Sequence, residues 1–119
     1  MKNKILTFLL LIIISYSCSE EKVVKFIPLT TNSDEAKAAF IEGIFRDDQN
    51  ETNESTAAFK KAIELDDDFL LAKIFYNSGI PSENRERLLK AFENRNQVSQ
   101  IEKKIIEANY QMQVYGDSK

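Results

Sequence analysis

The sequence predicts an all-α protein built from antiparallel helix hairpins, and three observations predict it. From Ala36 to Ala72, small and aromatic residues recur at helical spacing and are interrupted by polar turns, as expected of helices that bury one face. Three Gly and two Pro in 119 residues leave little material for turn-rich β architecture. Start and stop signals (Ser33, Asp66 to Asp68, Ser82, Ser99 and Gly116) fall between the periodic stretches, where helix caps belong.

Composition narrows the chemistry. A chain of this length is expected to form one domain with a limited core. The net charge is −3, and loss of Lys2 and Lys4 with a leader would deepen the acidic excess, so a basic patch for nucleic acid is not expected. There is no His and a single Cys, which removes His/Cys metal sites and His-based acid–base or triad catalysis. Asp66, Asp67 and Asp68 lack the spacing, Gly and distal Glu of a calcium loop and are read as capping residues. Glu20/Glu21 and Asp47/Asp48 are adjacent in sequence within polar stretches, not the buried, perturbed carboxyls that acid–base work requires. The expectation is a non-enzymatic protein without metal or cofactor.

Residues 1–17 read as an export signal: Lys2 and Lys4, an apolar run from Ile5 to Ile14, then small or polar residues. The run spans roughly 15 Å as a helix, about half a bilayer's hydrocarbon core, which disfavours a permanent transmembrane helix. Cys18 follows directly and resembles the lipidated cysteine of bacterial lipoproteins, although Ser15 and Tyr16 depart from the usual lipobox. Ser15 and Ser17 also satisfy the rule for ordinary signal cleavage, which would release a soluble protein with a free thiol. Lipidation at Cys18 is the preferred reading because it accounts for an unpaired cysteine in an oxidising compartment. That resemblance implies a cell-envelope protein anchored by Cys18, with Ser19 compatible with the outer membrane and Glu20/Glu21 either a surface-display tag or a solvated linker. Whether it faces the periplasm or the surface stays open. Residues 18–32 form an extended tether, because Pro28 bars a helix through KVVKFIPLTTN, and Phe26, Ile27 and Leu29 are expected to pack on the first helix pair.

The helical domain occupies residues 33–119. Its first helix is capped by Asn32 or Ser33 and buries Ala36, Ala39, Phe40, Gly43 and Ile44; Gly43 in a helix interior signals a close approach of another backbone. The second starts at Thr52 or Asn53 and buries Ser55, Ala58, Phe59, Ala62 and Ile63. The acidic triplet ends it and caps a third, from Phe69 to about Asn77, with Ala72, Phe75 and Tyr76 inward. Ser82 caps a fourth, with a stripe of the Arg85 stem, Leu88, Leu89 and Phe92. Ser99 and Glu102 form an S-x-x-E capping box for a fifth that runs to Tyr115, with Gly116 as its stop. Ile101, Ile105, Ala108, Met112 and Tyr115 fall on one face of that last helix, with no sixth helix to cover them.

Gly43, Ser55, Phe59, Ala62 and the phrase KAIELDDDF from Lys61 to Phe69 resemble the tetratricopeptide (TPR) repeat, whose signature places a Gly in the first helix and small–aromatic–small residues in the second. Ala39, Ala58, Phe69 and Ala72 complete the repeat-packing set with Phe40. The resemblance covers residues 33–77 best. Beyond them the fourth helix lacks the small–aromatic–small phrase, and Ile101 to Asp117 looks like the first helix of a further repeat. It implies a short solenoid of about two and a half repeats whose surface binds protein or peptide partners. The expected function is a lipid-anchored interaction scaffold of the bacterial envelope, with self-association through the last helix as one use of its bare face. The alternatives are a substrate-binding lipoprotein for peptides or glycans, and a truncated repeat protein with no independent role.

Overall fold

The computed structural model describes residues 27–116, and within them the chain is all-helical. The expected signal segment 1–17, Cys18 and the expected tether up to Phe26 lie outside the described residues, as does the side chain of Tyr115. No helix among the described residues is long and apolar enough to cross a membrane.

Helix α1 (Asp34–Asp48) begins where the Ser33 hydroxyl accepts the Ala36 amide at 3.0 Å, with Asp34 and Glu35 beside its positive end. It stops at a turn in which Asn50 takes a left-handed backbone (φ 61°), a conformation Asn tolerates better than most residues. Helix α2 (Thr52–Leu65) is capped by Glu51, not by Thr52 or Asn53. The Glu51 carbonyl already accepts the Ser55 amide, while its carboxylate is drawn back to Arg46 at 2.7 Å, closing the turn.

The short helix α3 (Leu70–Phe75) departs most from expectation. Its N-cap is Phe69, and no acidic side chain caps it. Asp66 closes α2 instead, and its carboxylate is occupied by the segment before α1, described below. After Phe75 the backbone turns extended at Tyr76, and Gly79 adopts φ 77°. Helix α4 (Pro81–Glu93) then starts from Ile80 with Pro81 in its first turn, where a missing amide costs nothing and φ is preset. The earlier start displaces Ser82 from the capping role. A 3₁₀ turn (Arg95–Gln97) leads to α5 (Gln100–Gly116). The expected capping box is present: the Ser99 amide donates to Glu102 at 3.0 Å, and the Glu102 amide donates to the Ser99 hydroxyl at 3.3 Å.

Two apolar clusters hold these elements. The first joins Ala36, Ala39, Phe40, Phe59, Ala62, Phe69, Leu71 and Ala72, and Leu29 packs on it from the segment before α1. The second joins Leu70, Ala91 and Ile106. Successive residues of α3 thus serve different clusters, Leu71 the first and Leu70 the second, so α3 is the element through which the hairpins α1–α2 and α4–α5 meet.

Candidate functional site

The surfaces available for binding follow from how tightly each hairpin closes. In α1–α2, the small residues Ala36, Ala39 and Ala62 let the helices approach until the Phe59 ring lies against the backbone of Gly43. A Cβ at that position would sit 2.5 Å from Cε1 and 2.6 Å from Cδ1 of Phe59, inside any real contact distance. The close neighbour that demands glycine is therefore an aromatic ring, not a second backbone. Phe40 is the hub, its ring centroid 5.5 Å from Phe59, 5.1 Å from Phe69 and 5.5 Å from Phe75, within the range of favourable edge and offset aromatic packing.

The early end of α3 leaves space beside the second hairpin. An open groove of about 600 Å³ lies where the 77–82 turn, the start of α4 and the far end of α5 converge. Leu88, Leu89, Tyr110 and Val114 supply apolar walls, and Asn77, Asn84, Arg85 and Gln113 are among its polar groups. Arg85 was expected to lay its stem along the buried stripe, but it is exposed, and Leu89, expected on the same stripe, is 38% exposed. The buried positions on α4 are Leu88 and Ala91; Ala91 is small enough for α3 and α5 to close over it, which turns Leu89 and Arg85 toward the groove.

Arg87 fixes the turn that forms one wall. Its guanidinium lies 4.6 Å from the centre of the Tyr76 ring and donates to the Tyr76 carbonyl at 3.3 Å and to the Asn84 side chain. Asn84 in turn accepts the Ser78 amide at 3.0 Å and donates to Asn77 at 2.7 Å. The opposite wall carries Tyr110, stacked on Phe92 with ring centroids 3.9 Å apart, and Arg95 lies over the other partner of that stack, Phe92, at 3.9 Å. Arg95 also reaches Glu107 at 3.1 Å and the Phe92 carbonyl at 2.6 Å. The walls are thus built on a braced polar network, while the groove itself is open to solvent.

A shallower groove of about 430 Å³ runs between α1 and α2, floored by Ala38, Ala39, Ala58 and Leu65 and rimmed by Glu35, Glu42 and Lys61. Among the described residues no cluster of three or more His, Cys, Asp or Glu side chains gathers in a way that could hold a metal ion.

The residues assigned by resemblance to repeat packing mostly converge. Ala39, Phe40, Gly43, Phe59, Ala62, Phe69 and Ala72 are buried, whereas Ala58 is half-buried at the edge of the α1–α2 groove. Phe75, expected inward, is 37% exposed despite its contacts with Phe40 and Phe59, because α3 ends there and no further turn covers it. The stripe on the last helix divides. Ile101, Ala108 and Met112 are exposed, with Met112 at 64%, but Ile105 is half-buried and packs on the first cluster. The buried face of α5 instead carries Glu102 and Ile106, each at 0% exposure. The two sets are offset by a single residue, about 100° around the helix, and periodicity alone does not choose between adjacent faces when both carry isoleucine.

No protein-family model, curated protein or solved structure matches the chain. The reading of its surfaces therefore stands on this geometry and on the residue pattern.

Proposed function

We propose that the chain is a non-catalytic, lipid-anchored interaction module of a bacterial envelope, built as a short TPR-like array and held at the outer membrane through Cys18. The groove left by the truncated α3 carries the interaction reading. It offers apolar walls and a polar rim along one cleft, the mix by which extended peptide segments are bound. The Gly43–Phe59 interlock supports the repeat architecture, since it is the packing that a Gly facing a small–aromatic–small phrase would produce. The leader and the lone Cys18 support the anchor.

A photo-crosslinking residue placed at Leu89, in the groove, should capture an envelope protein or peptide from intact cells, while one placed at the exposed Asp47 should not. Equal or absent capture at both positions would discard the groove as the docking site. Mass analysis of the mature chain addresses the anchor separately: acyl groups on an N-terminal Cys18 are expected, and an unmodified thiol would remove lipid anchoring.

A further inference from the structure

Residues 28–33 do more than connect a leader to α1. They form no helix, pass beside α5 and the α2–α3 junction, and are held at two points by two carboxylates from distant elements. Glu102, fully buried on α5, accepts the Thr30 amide at 2.8 Å through Oε1 and the Thr30 hydroxyl at 2.5 Å through Oε2. The neighbouring Ser99 hydroxyl donates to the Pro28 carbonyl at 3.4 Å, and its amide lies 3.3 Å from the Thr30 hydroxyl oxygen. One residue further on, the Thr31 hydroxyl donates to Asp66 Oδ2 at 2.5 Å and the Asn32 amide donates to the same oxygen at 3.2 Å. Asp66 lies at the α2–α3 junction. Just before them Leu29 packs on the first apolar cluster, against which Ile105 of α5 also packs.

A capping box alone does not require a buried glutamate, because the N3 side chain of such a box ordinarily sits at the solvent edge of the helix. Burying a carboxylate is costly unless its oxygens are satisfied, and here the strap supplies two of the three donors that satisfy them. We propose that residues 28–33 are a latch: they couple the chain's N-terminal segment to α5 and to the α2–α3 junction at once, and so set the position of α5. Tyr110, Gln113 and Val114 on α5 form one wall of the groove, so the latch also sets the groove. The use of this coupling to link anchoring with binding rests on the proposed function, whereas the coupling itself does not.

Hydrogen–deuterium exchange on the mature chain separates a latch from a simple helix cap. Thr30→Val removes the hydroxyl, and Thr30→Pro removes the hydroxyl and the amide proton; both leave the Ser99–Glu102 box intact. The latch predicts faster exchange in α5, intermediate for Thr30→Val and roughly tenfold or more for Thr30→Pro, as loss of hydrogen bonds to a charged group implies. Amides of α1 and α2 around Gly43 and Phe59 should keep their wild-type rates. Unchanged exchange in α5 would reduce Glu102 to a cap, and an equal rise in every helix would make the strap a general stabiliser; either result overturns the latch. The readout needs no ligand, so loss of groove crosslinks with the exchange pattern intact would overturn the binding reading alone.

Discussion

The two hairpins are built from similar material and closed by different means. In α1–α2, an aromatic ring is seated on a glycine and surrounded by alanines, and the seam around Phe59 and Ala62 is nearly dry. In α4–α5, the seam depends on Ala91 and Ile106, on a half-exposed stack of Phe92 and Tyr110, and on arginines that brace turns. The first hairpin is therefore a packed scaffold. The second is a docked layer, positioned by α3 and the strap, with an open groove along it. Burial concentrates stability in the first, and incomplete burial leaves the second with the larger open groove.

Truncating Phe59 to Ala tests the scaffold most severely. It removes the ring shared by Phe40, Phe75 and Gly43, and a loss of about 3–5 kcal/mol is expected in chemical denaturation. A loss below about 1 kcal/mol would erase the distinction between the hairpins. Gly43→Ala should come next, costing about 1–2 kcal/mol: the new methyl group forces the Phe59 ring aside, and the better helix propensity of alanine offsets only part of that. On an unstrained helix the same change would stabilise, so the sign of the effect is itself the measurement.

In the second hairpin, Tyr110→Leu keeps an apolar side chain but ends the stack on Phe92, and about 1 kcal/mol is expected. A larger loss than Phe59→Ala causes would invert the comparison. The smallest effect should come from Asp66, where the strap meets the scaffold. Its carboxyl is held below the ordinary value of 3.8, first by the Thr31 hydroxyl, with smaller help from the Asp68 and Asn32 amides and from Lys73. A depressed folded-state pKa stabilises above the unfolded value, and that contribution disappears as pH falls through the folded one. Asp66→Asn should therefore flatten the acid limb of the stability profile below about pH 4 and leave the profile near neutrality little changed in shape. An unaltered acid limb would show that the strap contact is not formed in solution.

Much of the scaffold was legible in the chain. Helical spacing identified α1, α2 and their buried faces, Gly43 marked a close approach, and the S-x-x-E phrase placed the start of α5. The turns were less legible. Ser82 and the acidic triplet look like N-caps by residue type, but Pro81 begins α4 earlier, and Asp66 is claimed by Thr31. The groove was not placed from the sequence: the turn from Asn77 to Pro81 beside it is held by Asn84 and Arg87 of the following helix, side chains whose partners spacing does not reveal.

By itself the sequence determined that the described chain is helical, which faces of α1 and α2 are buried, and that the inventory lacks histidine. Those properties depend on residue type and on spacings of three and four, which act locally. Tertiary structure alone decided that Glu102 turns inward, that Ile106 and not Ile101 or Met112 is covered, and that the segment around Thr30 belongs to the fold. Ile106 is covered by Leu70 and Ala91 from two other helices, while Glu102 and Thr30 meet across about seventy residues of sequence, and a carboxylate becomes a buried anchor only when such a partner arrives with the donors to satisfy it.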